Sequence, residues 1–285
     1  MRSSKKTWVI ADSSSTRTEW TLVDGSKVLS HAVTTGLNPV FLSRREISHV
    51  IRLELPREYF QRRWDHIYFY GAGCSRPEKI KTVEASLVAQ FKTPATVESD
   101  LLGAARGLLI GQPGLACILG TGSNSCYYDG KRIVKNVRSG GFILGDEGGG
   151  SALGRIFLSD LIKDLAPREL IDEFLESRNE TVHSIMDAVY SNPYANRNLR
   201  NYSLFLAEHT DNEYVHKLVT NELCRFFDRH ICQYDYHELP VCFVGTIATK
   251  FSEILLQVAE RYEVNVKKIV SNSMPGLVSY HSMIE

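Results

Sequence analysis

Over its first 140 residues the chain carries apolar residues in short blocks broken by polar turns, and only later in long helical stripes. Thr7–Ala11 is apolar enough for a buried strand; it ends on the hydroxyl-rich segment Asp12–Thr16, and a second strand follows at Thr21–Val23. Asp24-Gly25 turns the chain into a third, Lys27–Val33, giving a three-stranded meander. Ser43–Leu55 then changes to helical spacing, with Ser43 and Glu46 at capping-box distance and Pro56 as a stop. Trp64–Tyr70, Pro77–Phe91, Ala95–Glu98 and Asp100–Ile110 continue as strand, helix, strand, helix.

From Gly114 the pattern starts again. Strands are expected at 115–119, 124–129 and 131–137, a helix after Asp146, and strands at Val241–Gly245 and Val266–Val270. Residues 155–238 read as mostly amphipathic helix, with a long run from about Asp211 to Tyr234, and Arg197 and Arg200 there are most simply a solvated face. A strand-rich unit that repeats with its own glycine and hydroxyl turn is the main architectural signal.

The candidate chemistry sits in those turns. Gly120, Thr121, Gly122 and Ser123 lie between two strand patterns, where backbone N–H groups and hydroxyls converge; the turn is either an ordinary hairpin or a cradle for phosphate oxygens. A dinucleotide fingerprint would have to open a helix here, and no Gly-x-x-x-x-Gly-Lys-Ser/Thr run occurs in the chain. Asp12 at the end of the first strand, beside Ser13, Ser14, Ser15 and Thr16, can hold hydrated Mg²⁺ while the hydroxyls receive phosphate, or the segment is a solvated turn. Asn38 offers a donor and an acceptor ahead of the rigid Pro39. Ser139–Gly154 packs seven glycines into sixteen residues around Phe142, Ile143 and Leu144, which suits a loop that approaches a ligand closely, with Asp146 and Glu147 as acceptors.

Composition narrows the partners. With 285 residues, 43% hydrophobic and 23% charged, the chain is expected to be globular with about two domains. Lys+Arg and Asp+Glu balance at 33 each, so nothing in the charge calls for nucleic acid or an anionic membrane. No apolar run is long enough to span a bilayer, and the basic start, Met1–Lys6, runs into a strand pattern rather than a secretory core. The six cysteines form no Cys-x-x-Cys pair and read as reduced core thiols of a cytoplasmic protein; His230, Cys232 and His237 fit no standard metal spacing.

Taken in order, Asp12 to Thr16, Asn38, Asp100, Gly120 to Asn124, Gly145 to Gly148 and Val244 to Ala248 resemble the N-acetylglucosamine kinase-like group of the BadF/BadG/BcrA/BcrD-type ATPase family. The resemblance covers nearly the whole chain. It implies an α/β fold of two actin-like (ribonuclease H-like) ATPase domains with an interdomain cleft: 1–112, and 113–270 with a helical insertion, the segment 271–285 packing back on the first. It implies an ATP-dependent phosphotransferase acting on the primary hydroxyl of an amino sugar, with ATP and Mg²⁺ as cofactors and Asp100 as catalytic base. Asp12 would reach the metal through water, and the hydroxyls of residues 13–16 with Gly120, Thr121, Gly122 and Ser123 would take the phosphates. Gly245, Thr246 and Ile247 would take adenosine, and Asn38, Asp100, Gly141, Phe142 and Asp146 the sugar. Asp100 in a first helical turn is expected to stay ionised under the helix dipole. A homodimer is compatible with the resemblance.

The chain departs from the pattern at two positions. Ser14 stands where the family usually has glycine, and Gly141-Phe142-Ile143 stands where animal sugar kinases have Gly-Trp-Gly. Two other readings remain: an ATPase activator of a dehydratase, which would need cysteines placed to share an iron–sulfur cluster, and a sugar or nucleotide sensor with little turnover.

Overall fold

The computed structural model describes residues 6–192 and 195–284, so the basic segment 1–5 lies outside it. The first meander forms as β1 (Thr7–Ser13), β2 (Arg17–Asp24) and β3 (Lys27–Thr35), each longer than its apolar block because ladder hydrogen bonds extend into the polar flanks. Next come α1 (Arg44–Glu54), β4 (His66–Gly71), α2 (Pro77–Phe91), β5 (Ala95–Ser99) and α3 (Asp100–Leu109). Ser43 and Glu46 close the capping box expected of α1.

The first sheet runs β3-β2-β1-β4-β5. β2 is antiparallel to β1 and to β3, whereas β1, β4 and β5 are mutually parallel, so their carboxyl ends share one edge. The register puts Asp12 beside Tyr70, Ser13 beside Gly71, and Gly71 beside Ser99. Strand alternation splits β1 between two cores. Val9 and Ala11 join Trp20, Phe69 and the α1 and α2 residues Ile47, Ile51, Val83 and Leu87, while Trp8 and Ile10 join Tyr70, Met274 and Leu277 on the other face.

The second sheet is built from β6 (Pro113–Leu119), β7 (Ser123–Asp129), β8 (Ile133–Val137), β9 (Val241–Val244) and β10 (Val266–Val270), in the order β10-β9-β6-β7-β8. Read from its other end, β8-β7-β6-β9-β10 repeats the first sheet's order, with the first strand of each set central. Helices α4 (Gly141–Leu144), α5 (Gly150–Ile162), α6 (Arg168–Arg178), α7 (Val182–Ser191), α8 (Ala195–Leu206) and α9 (Glu213–Arg229) lie between β8 and β9. α10 (Thr246–Lys250), α11 (Ser252–Arg261) and α12 (Met274–Ile284) follow the last two strands. The apolar run to Tyr234 breaks at His230 into a short 3₁₀ turn, Ile231–Gln233.

Contacts divide the chain into two units. One holds the residues up to Ala116, the hairpin tip Tyr128–Val134 and the C-terminal segment from Asn272; the other holds Cys117–Tyr127 and Lys135–Ser271. The hairpin tip belongs to the first because Gly130 lies against Gly111: a Cβ on Gly130 would stand 2.6 Å from the Gly111 carbonyl oxygen. Within that unit α12 crosses α3 at two glycines, and a Cβ on Gly276 would fall 1.7 Å from Gly107 O. Arg106 of α3 donates to Tyr70 (3.0 Å), whose hydroxyl shares a 2.9 Å hydrogen bond with His281 of α12, so polar contacts fix the same crossing. In the other unit α5 and α8 approach as closely, since a Cβ on Gly154 would stand 1.9 Å from Leu199 O. The stem of Arg200 packs on Gly150 there, so this arginine is more than the solvated charge expected from its sequence.

Candidate functional site

In the first unit the carboxyl edge of the parallel strands gathers four loops. Asp12 ends β1 on the face opposite Ala11 and accepts a short hydrogen bond from Ser273 Oγ, just ahead of α12. Asp100 opens α3 directly after β5; Ser99 caps the helix through Leu102 N (3.2 Å), and Leu101 N donates to Asp100 Oδ1 (2.9 Å). Burial raises the Asp12 pKa to about 7; Ser273 works against the shift, and the charges of Asp100 and Glu19 add to it. Burial likewise raises Asp100 to about 6, outweighing the backbone N–H groups that stabilise its anion. This corrects the expectation that the helix dipole would govern Asp100: the carboxyl is ionised at neutral pH, yet it is a stronger proton acceptor than a solvated aspartate.

The neighbouring loops are packed backbone on backbone. A Cβ on Gly36 would lie 2.6 Å from Ser14 O, and one on Gly73 (φ +82°) 2.2 Å from Asn38 Oδ1. That oxygen also accepts from Val40 N (2.9 Å), whereas the Asn38 amide nitrogen has no hydrogen bond among the described residues. Ser13 does not face this edge. It is fully buried, shares a 2.8 Å hydrogen bond with Thr18 and accepts from Leu37 N (3.0 Å), so its hydroxyl is spent on the sheet and is not a phosphate donor. The alternation of β1 could have shown this, since Ser13 falls on the Val9–Ala11 face. Ser14 Oγ accepts from Thr16 N (3.3 Å) and Arg17 N (3.2 Å) and donates to Arg17 O (3.1 Å), closing the turn on itself. Ser15 and Thr16 keep hydroxyls at the edge, and Ser15 has no hydrogen bond among the described residues.

In the second unit the turn Gly120–Gly122 joins β6 to β7 and lies against the start of α5. Gly150 N donates to Gly120 O (2.9 Å) and Ser151 N to Thr121 O (2.8 Å), so the helix start holds the turn's carbonyls. Gly120 N is used inside the turn on Gly122 O (2.9 Å), while the N–H groups of Thr121 and Gly122 have no partner among the described residues. The space beside Gly120 is open to 4 Å. Ser123 is buried, and its N–H donates to Asp146 Oδ1 (3.2 Å).

Asp146 thus lies on the 120–123 turn; a Cβ on Gly122 would stand 2.5 Å from its Oδ2. Its backbone has φ +56°, and Asp146 N donates to Ser139 O (2.9 Å), which closes the loop that carries Gly141 and the half-buried Phe142. Burial raises its pKa to about 6, partly offset by the Ser123 N–H and reinforced by Glu147. Phe142, Ile143 and Leu144 form the one-turn helix α4 rather than a loop, with Ile143 and Leu144 exposed. Gly245 (φ +130°) follows β9 beside the end of β6, where a Cβ would come 2.2 Å from Leu119 O, so Gly245 and Thr246 sit next to Gly120. Ile247 is fully buried, so at an adenosine site only its backbone is available.

Two contributors had no signal in the sequence. Ser273 reaches Asp12 from a turn 261 residues away, and Arg229 with His230 hold Glu147, the neighbour of Asp146, from the end of α9.

A scan of protein-family models and a search of curated proteins return no match. Among solved structures, a Porphyromonas gingivalis protein provisionally named an N-acetylglucosamine kinase is 37% identical, with 97% of this chain and 99% of that one covered and a TM-score of 0.93. A Chromobacterium violaceum protein with the same provisional name is 16% identical over 97% and 99% of the two chains, with a TM-score of 0.76, and shares the fold. An ethanolamine utilization protein of Carboxydothermus hydrogenoformans, 12% identical over 99% and 89% with a TM-score of 0.53, shows that the fold extends beyond kinases by name.

Proposed function

The chain belongs to the N-acetylglucosamine kinase-like family of the Porphyromonas protein, and from that premise we propose that it transfers the γ-phosphate of ATP to the primary hydroxyl of an amino sugar, with N-acetylglucosamine as the first candidate. The BadF/BadG/BcrA/BcrD-type ATPases and a cytoplasmic setting are the wider context of this reading.

The observation that carries it is the pair Asp12 and Asp100. They stand at the carboxyl ends of β1 and β5, two strands apart in one parallel set, where α/β sheets present ligands. Asp100, half-buried with a pKa near 6, suits a base that takes the hydroxyl proton as the acceptor oxygen attacks phosphorus. Asn38, in the loop after β3 and packed against Gly73, has an amide N–H₂ free to orient a sugar hydroxyl.

Magnesium, when bound, would spread the charge of the transferring phosphoryl group. The residues fit it: two half-buried carboxylates with raised pKa values are a site where a cation relieves repulsion, and Asp12 would hold it. The free N–H groups of Thr121 and Gly122, with the Thr121 hydroxyl, suit phosphate oxygens. Ser15 and Thr16 offer hydroxyls for the same purpose, and Gly245 and Thr246 suit the adenosine. Asp146, held on the 120–123 turn, would reach a sugar hydroxyl only with its second oxygen.

Release of ADP by the purified protein, measured against N-acetylglucosamine, glucosamine, N-acetylmuramic acid and glucose, tests the proposal. Stimulation by an amino sugar, reduced about 10²–10⁴-fold in Asp100→Asn, is expected; a mutant as fast as wild type would remove Asp100 from the reaction. Ser14 favours a second reading, a sensor with slow turnover, because its hydroxyl already occupies two amides of the first turn. That reading predicts tight ATP binding without sugar-stimulated ADP.

A further inference from the structure

Behind the Gly120–Gly122 turn runs a buried polar chain that the proposed reaction does not use. Glu147, the residue after Asp146 in the glycine loop, is buried and bonded to Arg229 Nη1, and its Oε2 faces His230 Nε2 at 3.5 Å. The other ring nitrogen, His230 Nδ1, lies 3.2 Å from Ser125 Oγ on β7. Ser125 Oγ and Tyr234 OH are 2.9 Å apart; Tyr234 OH donates to Ser125 O (2.9 Å) and accepts from Val137 N (2.9 Å) on β8. His230 is 2% exposed and stacks on Phe226 at 4.8 Å, so neither its tilt nor its rotamer is free.

We propose that His230 is a positioning residue that ties the Asp146–Glu147 segment to the strand leaving the Gly120–Gly122 turn, and so keeps that turn's free amides in place for phosphate. The functional half rests on the kinase reading above. A histidine buried only for packing would need one partner at most; this one hydrogen-bonds Ser125 and faces Glu147, and each of those segments flanks the same turn. The Asp146 carboxylate is placed on Ser123 N by one arm, and β7 is fixed two residues further on by the other.

Counting protons fixes the direction of the chain. Burial disfavours its charged form and lowers the His230 pKa, so the ring carries one N–H. Burial would raise Glu147, but its own backbone N–H, Arg229 and His230 overcome that and lower its pKa, so it can only accept. The ring proton therefore sits on Nε2 toward Glu147, Nδ1 accepts from the Ser125 hydroxyl, and the single proton of the Tyr234 hydroxyl is shared between Ser125 O and Ser125 Oγ. No two donors face each other along the chain, which makes such a network rigid.

The test uses the whole protein labelled with ¹⁵N-histidine. His230 is assigned by its absence from the spectrum of His230→Gln, and its ring should be the Nε2–H tautomer. His230→Gln keeps a donor toward Glu147 and loses the Ser125 arm; His230→Asn keeps an acceptor for Ser125 and loses the Glu147 arm. Calorimetry with MgATP should show each variant binding about tenfold more weakly, while the sugar KM stays within about twofold. An Nδ1–H tautomer in the wild type, or variants with lowered thermal stability and unchanged MgATP affinity, overturns the proposal. If a histidine variant does not fold, Ser125→Ala must give the same tenfold loss. Wild-type protein that has the expected tautomer and binds no MgATP overturns the kinase reading together with this use of His230, and that result is distinct from unchanged affinity in the variants.

Discussion

The two units repeat one strand order, but their first turns are completed differently. In the Ser13–Arg17 turn the amides are taken by Ser14, two and three residues away, with a neutral hydroxyl. In the Gly120–Ser123 turn the corresponding acceptor is a carboxylate, Asp146, from a segment 23 residues on that is itself held by Arg229 and His230. The first turn is therefore self-contained. The second has its shape only while a distant glycine loop is in place, and it carries a buried charge where an anionic ligand would bind. One architecture supplies two cradles, and only the second is closed by a titratable group.

What the turns share gives the largest expected effect. Each is abutted by a glycine whose Cβ would strike backbone: Gly36 at 2.6 Å from Ser14 O, and Gly149 at 2.7 Å from Gly122 C. Backbone cannot rotate away as a side chain can, so Gly36→Ala and Gly149→Ala should each cost about 1–3 kcal/mol and lower the melting temperature by about 2–8 °C. Equal melting of either variant and the wild type would mean that the turn in question slides, and the packing argument for that unit would fall.

Charge should then separate them. Asp146 has a folded pKa near 6, above its unfolded value, so its protonated form favours the folded state. That contribution is complete below about pH 4 and is lost as the pH rises through 6. Asp12 and Asp100 add losses of the same sign up to about pH 7. Between pH 4.5 and 8 the ligand-free protein should therefore lose stability, and Asp146→Asn should lose about 1–2 kcal/mol less over the same range. Ser14→Ala should follow the wild-type slope, because nothing titrates in the first turn's closure. Parallel slopes for Asp146→Asn and wild type, measured by denaturant titration, would show that Asp146 is not buried as a charge.

Much of this frame was legible in advance, for physical reasons that also mark the limit. The helix Pro77–Phe91 was set by Pro77 at its first position and the apolar spacing that follows, and the α1 cap by Ser43 and Glu46. The two meanders showed as apolar blocks, the first turned by Asp24-Gly25 and the second carrying the glycine turn at 120–122. These signals are local. Side-chain direction was legible only through alternation, which puts Ser13 and Asp12 on opposite faces and separates the Ser13 hydroxyl from those of the turn that follows. The four residues Gly141–Leu144 carry too little periodicity to reveal their one helical turn in the sequence. Ser273 on Asp12 and Arg229 on Glu147 join segments 261 and 82 residues apart, and no spacing in the sequence encodes such a meeting.

The smallest expected effect bears most directly on the first turn. If Ser14 Oγ holds Thr16 N and Arg17 N in place of a phosphate oxygen, its removal frees two donors without moving backbone, since Ser14 has an ordinary negative φ. Glycine there adds chain entropy to the unfolded state, so Ser14→Gly should cost about 0.5–1 kcal/mol of stability in the absence of ligand. Against that loss the MgATP dissociation constant should fall about three- to tenfold, since each freed N–H is worth roughly 0.5–1.5 kcal/mol once it meets an anion. Ser14→Ala separates the causes, because it frees the same amides while leaving backbone flexibility nearly unchanged. Tighter binding in both variants assigns the effect to the hydroxyl. Tighter binding in Ser14→Gly alone assigns it to flexibility or to the room a side chain takes. Weaker binding in both would mean that the hydroxyl itself faces the ligand, and the first turn would then be a cradle completed by Ser14 rather than one closed by it.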